Sequence, residues 1–104
     1  MAAPQVSDKL EEFYSRLRER IRTGSLASCM EFLRYTLKDY NICLGLREDH
    51  IVALEVFRLA KLHQVVVRMY TTGGTVYTIL AGQRAKDGNL WFRIQMGGRW
   101  RRRY

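Results

Sequence analysis

The N-terminal part of the chain repeats its apolar residues at the three- and four-residue steps of an amphipathic helix. This stripe consists of Leu10, Phe13, Tyr14, Leu17 and Ile21. Asp8 and Glu11 have the spacing of a capping box, and Gly24 predicts a left-handed end to the helix. The pattern therefore predicts a first helix over residues 8–24, with arginines around its remaining surface.

A second helix is predicted to follow at once and to end near Asn41, with either Ser25 or Ser28 as its N-cap. Its buried stripe consists of Leu26, Met30, Leu33 and Leu37. Because the turn between the two helices is very short, we expect them to pack as an antiparallel hairpin.

The stretch REDHIVALEVFRLAKLHQ, residues 47–64, has a broad apolar face and few polar positions. Its acids Glu48 and Asp49 come first, and Lys61 and His63 come last, which suits the dipole of a helix. The pattern favours a third and largely buried helix.

From Gln64 onward the pattern becomes extended and rich in β-branched and aromatic residues. The segments VVVRMY, TVYTIL and LWFRIQM are separated by TTGG and by AKDG, which are typical turn sequences. They predict a three-stranded antiparallel meander ending at Met96. The predicted fold is α+β, with three N-terminal helices packed on a C-terminal sheet. We expect one domain over residues 1–98 and a basic, flexible tail over residues 99–104, released by Gly97 and Gly98.

Alternation along the predicted strands assigns side chains to the two faces of this sheet. If the helices cover the face that carries Phe92, the opposite face carries aromatic residues interleaved with arginines. These outer residues are Arg68, Tyr70, Trp91 and Arg93.

The net charge of the chain indicates which class of partner it binds. Eighteen Lys and Arg against ten Asp and Glu leave a net charge of +8. This balance favours an anionic partner, with nucleic acid first and an acidic protein or a membrane surface second. The chain shows neither a secretory signal pattern nor an apolar run long enough for a membrane span. We therefore expect it in the cytoplasm or nucleus and neither secreted nor bound to a membrane.

The spacing of the candidate residues gives little support for catalysis or for metal binding. Cys29, Cys43, His50 and His63 lack the close pairing of zinc ligands, and both cysteines are expected to be reduced core thiols. No serine, cysteine or carboxylate pair shows the arrangement of a catalytic site, and no phosphate-binding loop is present. We expect no enzyme activity, no cofactor and no small-molecule substrate.

The favoured function is nucleic-acid binding driven by charge and stacking, with RNA preferred over duplex DNA. Stacking would fall to the outer-face aromatics and Trp100, and phosphate binding to the outer-face, tail and first-helix arginines. Besides Arg68, Tyr70, Trp91 and Arg93, this predicted site comprises Arg16, Arg20, Arg99, Trp100, Arg101, Arg102 and Arg103. The alternative is an adaptor or regulatory protein that binds another protein or dimerises. Its arginine tail would then serve as a nuclear localisation signal or a ligand for an acidic partner.

Overall fold

A computed structural model describes residues 8–45 and 50–99, with the backbone alone described for residues 98 and 99. Two helices are followed by a four-stranded antiparallel sheet, an α+β arrangement. The elements are α1 (Lys9–Thr23), α2 (Leu26–Lys38), β1 (Ile51–Leu59), β2 (Gln64–Thr71), β3 (Thr75–Gln83) and β4 (Leu90–Arg99).

The sheet is a meander with the order β1-β2-β3-β4, in which each strand pairs with its neighbours in the chain. Leu54 lies opposite Met69, and Ile79 lies opposite Ile94. Both helices pack on the face of the sheet that carries these residues. We call the opposite side of the sheet the outer face, because neither α1 nor α2 covers it.

The predicted third helix is wrong, because residues 51–59 form β1 and not part of a helix. Apolar residues occupy so many positions in this segment that they satisfy a helical and an extended pattern at once. Pairing decides between them, since β1 satisfies the backbone groups along one edge of β2. A short 3₁₀ turn, Ala60–Leu62, and a left-handed His63 connect the two strands. The prediction of three helices and a three-stranded sheet is corrected to two helices and four strands.

The predicted helix caps are confirmed at two positions. The Asp8 side chain accepts a hydrogen bond from the Glu11 N–H, and Ser25, rather than Ser28, caps α2. Gly24 ends α1 in an extended conformation and not in the predicted left-handed one. Glycine is needed there for space, because a Cβ would lie 2.9 Å from the Arg20 carbonyl oxygen.

The core lies between the helices and the inner side of the sheet. Its fully buried side chains include Leu17, Met30, Leu33, Leu37, Met69 and Ile79. Cys29 is buried there, which confirms it as a core thiol, but Cys43 is exposed, so the prediction of a buried Cys43 is wrong. Cys43 follows α2 in a segment without regular secondary structure, where the apolar pattern alone does not decide burial.

The last strand is longer than the sequence indicates. β4 continues through Gly97 and Gly98 to Arg99, whose backbone lies opposite Thr75. The register shifts between Tyr77 and Thr75, so the two glycines absorb a bulge within the sheet. The predictions that the strand ends at Met96 and that the glycines release the chain are therefore wrong. The remaining tail residues, 100–104, lie outside the described part of the chain.

We expect Leu33→Ala to lower the free energy of unfolding by about 2–5 kcal/mol, because Leu33 is 0% exposed and its removal leaves a cavity. Leu26→Ala makes the same change at a position that the sequence pattern predicts to be buried but that is 37% exposed, and it should cost clearly less, about 1 kcal/mol. Urea unfolding followed by circular dichroism measures both values. Equal losses for the two variants would contradict the packing described above.

Candidate functional site

The outer face of the sheet brings together the predicted residues of the two strands. Arg68 and Tyr70 lie on β2, and Trp91 and Arg93 lie on β4, with β3 between them. Directly opposed residues of antiparallel strands share a face, and the register places all four side chains on the outer one. Strands lie about 4.8 Å apart, so the two groups are separated by roughly 10 Å.

Strand β1 adds residues to this face that sequence reasoning missed. Glu55 lies opposite Arg68, and Phe57 lies opposite Val66. The Arg68 guanidinium carbon lies 5.0 Å from the centre of the Phe57 ring, and Arg68 Nη1 lies 3.9 Å from Glu55 Oε1. The two-residue spacing of Glu55, Phe57 and Leu59 is that of one face of a strand. The same segment also fits a helical pattern, so the sequence alone did not assign these residues to the sheet.

Tyr70 is tied to the same carboxylate. Its hydroxyl donates a short hydrogen bond to Glu55 Oε1. This bond, with a smaller contribution from desolvation, raises the pKa of Tyr70 above its usual value. Glu55 therefore orients both predicted contact residues of β2, but it also offsets the positive charge of Arg68.

Trp91 lies against the sheet at a glycine. A Cβ at Gly82 would overlap Cζ2 and Cε2 of the Trp91 indole. The ring therefore occupies the space above β3 that any other residue at position 82 would fill. This contact holds the indole at the surface, where it stays half-buried.

The centre of the outer face is apolar. Val66 lies between Phe57 of β1 and Leu80 of β3 in the register, and it is only 6% exposed. Since no helix of the described chain covers this face, the neighbouring side chains must shield it. Arg93 lies opposite Leu80 at the end of the same row and is exposed.

The predicted arginines of α1 do not join this face. Arg16 Nη2 lies 2.7 Å from Glu12 Oε1, and Arg20 donates to Ser28 and lies over the Phe32 ring. Both belong to the helix layer on the opposite side of the sheet. They line a groove of about 610 Å³ between α1 and α2 that also contains three carboxylates, namely Glu19, Glu31 and Asp39. Their surroundings therefore disfavour a phosphate.

Of the predicted tail residues, the structure describes only the backbone of Arg99. The backbone of Arg99 lies at the end of β4. Trp100, Arg101, Arg102 and Arg103 fall outside the described residues, so their relation to the outer face stays a prediction.

Metal and nucleophile candidates remain separate in the described part of the chain, where no group of three His, Cys, Asp or Glu side chains is close enough to hold a metal ion. Burial raises the pKa of the Cys29 thiol, which keeps it protonated and poorly nucleophilic. Helices α1 and α2, with 15 and 13 residues, are too short and too polar to cross a membrane.

Comparison of the chain with models of known protein families, with curated proteins and with solved structures found no match.

We expect Gly82→Ala to displace the Trp91 indole and to lower the free energy of unfolding by about 1–3 kcal/mol, as overpacking does. Gly73→Ala is the matched control, since a Cβ at Gly73 meets no atom within 4 Å. In a Trp100→Phe background, the long-wavelength edge of the near-ultraviolet circular dichroism spectrum, beyond the tyrosine absorption, follows Trp91 alone. An unchanged Trp91 signal in Gly82→Ala would contradict the contact.

We expect Glu55→Gln to lower the pKa of Tyr70 toward 10, because the anionic acceptor that stabilises the protonated hydroxyl is removed. In the native protein the raised pKa contributes stability that is present below pH 10 and lost as the pH rises through the folded value. A nuclear magnetic resonance titration of tyrosine-labelled protein, assigned with Tyr70→Phe, measures the shift. An equal Tyr70 pKa in both proteins would rule out Glu55 as the cause.

Proposed function

We propose that this protein binds single-stranded RNA on the outer face of its sheet, without enzyme activity and without a cofactor. The observation that carries the proposal is the uncovered face with two exposed arginines among three aromatic rings. Arginines bind phosphates, and aromatic rings stack on bases that are not paired. The proposed site consists of Arg68, Tyr70, Trp91 and Arg93, with Phe57 as the additional ring.

The shape of the face favours RNA single strands over duplex DNA. Duplex recognition usually inserts a helix or a ribbon into the major groove. Here both described helices lie behind the sheet, and the segment whose pattern favours a third helix is β1. An extended strand of unpaired nucleotides fits a broad sheet surface better than a grooved duplex does.

Charge supports the same proposal through the end of β4. Four of the eighteen basic residues lie between positions 99 and 103, so without them the net charge would fall from +8 to +4. Arg99 pairs with Thr75, at the end of the sheet where Tyr70 pairs with Val76. The eight residue steps from Trp91 to Arg99 span about 26 Å along β4, so the tail starts at the Tyr70 end of the outer face and away from Trp91. The tail arginines would therefore add phosphate contacts beyond Tyr70. The site of action would be the cytoplasm or the nucleus.

Fluorescence anisotropy with a labelled twelve-nucleotide uridine RNA, recorded from low to moderate salt, tests the proposal. We expect Kd to rise steeply with salt, because each phosphate contact releases counterions. Replacing Arg101, Arg102 and Arg103 together by Gln should reduce the slope of log K against log salt by about 2. A DNA duplex of equal length should bind more weakly.

Variants on the outer face distinguish RNA contacts made by this face from a general effect of the net charge on binding. Trp91→Leu should weaken binding by about 1–3 kcal/mol, roughly 5- to 150-fold in Kd. Arg93→Gln should reduce the salt slope by about 0.7. Lys38→Gln removes an equal charge from the end of α2, on the other side of the sheet. It should leave unchanged the factor by which Trp91→Leu raises the Kd for RNA. Equal effects of Arg93→Gln and Lys38→Gln would contradict a site on this face.

A protein-binding adaptor is the second candidate, and the apolar row formed by Phe57, Val66 and Leu80 favours it. Protein interfaces also concentrate aromatic residues and arginine. Absence of binding to both RNA and DNA at low salt would reject the RNA proposal and leave this candidate. The arginine tail would then be a nuclear localisation signal or a ligand for an acidic partner.

A further inference from the structure

Strand β4 is an edge strand of the sheet, no described strand pairs with its outer side, and its composition is unusual. Its ten residues, LWFRIQMGGR, include no acid and no proline, and Arg93 is the sole charge before the bulge at the glycines. Exposed edge strands normally carry charges, prolines or bulges that prevent pairing with another chain. From Leu90 to Met96 this edge has little of that protection.

Two apolar side chains on the helix side of β4 are left uncovered. Ile94 lies opposite the buried Ile79, so it points to the side that carries the helices, yet it is 36% exposed. Met96 shares that side and is 70% exposed. Phe92, on the same side, contacts Phe13 and Tyr40, so the helix layer reaches β4 only near its beginning. Space for a further strand therefore exists beside Ile94 and Met96.

The other edge is less suited to pairing. β1 has an irregularity between Ile51 and Ala53, and it carries Glu55 and Arg58. Arg58 Nη2 lies 2.6 Å from Glu11 Oε1 of α1, and its guanidinium lies over the Tyr14 ring. These contacts tie β1 to the helix layer with charged side chains, whereas within residues 8–45 and 50–97 no ion pair joins β4 to the helices.

The geometry points to a homodimer in which β4 of one copy pairs antiparallel with β4 of a second copy, about a two-fold axis at Ile94. This register places Ile94 opposite its own copy and Phe92 opposite the partner's Met96, so the three helix-side residues all meet apolar side chains. On the outer face Arg93 lies opposite the partner's Gln95. Such cross-strand pairs stabilise antiparallel sheets.

Neighbouring registers are less favourable. An axis at Arg93 would place two arginines directly opposite each other, which destabilises a strand pair. An axis at Gln95 would place Phe92 opposite Gly98, where there is no side chain to pack against. The side chains of β4 are thus self-complementary about one position, as an isologous interface requires.

The dimer has a consequence for the outer face. Two four-stranded sheets joined at β4 make one eight-stranded sheet, in which the two copies of Trp91 and Arg93 flank the axis. For the RNA function proposed above, this would double the length of the binding surface. The assembly itself does not depend on that function, and its test contains no RNA.

Cysteine cross-linking tests the register in a Cys43→Ser background. Directly opposed residues have Cβ atoms about 4.5–5.5 Å apart, close to what a disulfide needs. We expect Ile94→Cys to form a covalent dimer under mild oxidation. Met96→Cys is the matched control, because it is the more exposed position but would lie roughly 13 Å from its copy. Cross-linking that is stronger for Met96→Cys would overturn the proposal.

Sedimentation of the protein without an introduced cysteine provides the second measurement. We expect a dimer that strengthens as salt rises, because screening weakens the repulsion between two chains of charge +8. Ile94→Lys should sediment as a folded monomer, whereas Leu62→Lys, at an exposed site in the connection between β1 and β2, should remain dimeric. A monomer at all concentrations, or a dimer that survives Ile94→Lys, would overturn the proposal.

Discussion

The structure depends on one constraint, which is that two helices cover one face of a four-stranded sheet. Leu17, Met30 and Leu33 from the helices pack against the inner residues of the strands and form the core. Burial of this side supplies the main favourable free energy of folding. Neither α1 nor α2 reaches the outer face, so its apolar residues must be shielded by one another and by long charged side chains. The candidate site is a consequence of this unequal coverage.

The side chains of the outer face hold each other in place. Arg68 lies over Phe57, Tyr70 donates to Glu55, and the Trp91 indole occupies the space above Gly82. A ring or guanidinium that is already held at the surface loses less conformational entropy on binding a ligand than a mobile one does. Glu55 has two opposing effects, since it orients Arg68 and Tyr70 but reduces the positive potential around them.

The two strands that carry the predicted site were found from sequence because their pattern is local. Alternation alone places Arg68 with Tyr70 and Trp91 with Arg93, whatever the register between the strands. The contribution of β1 could not be found in the same way, since its apolar residues suit a helix as well as a strand. Gly82 also escaped notice, because its role depends on Trp91, which is nine residues away in sequence and opposite it in the sheet.

By itself the sequence determined the two amphipathic helices, their polar caps, the three later strands and the strong positive charge. These features depend on contacts within a few residues or on composition, so the local sequence is enough to specify them. Tertiary structure decided that residues 51–59 are a strand and that β4 continues through its glycines. It also placed Arg16 and Arg20 in the helix layer, away from the outer face. The physical reason is that backbone pairing and burial depend on partners distant in sequence, and a local pattern cannot specify them.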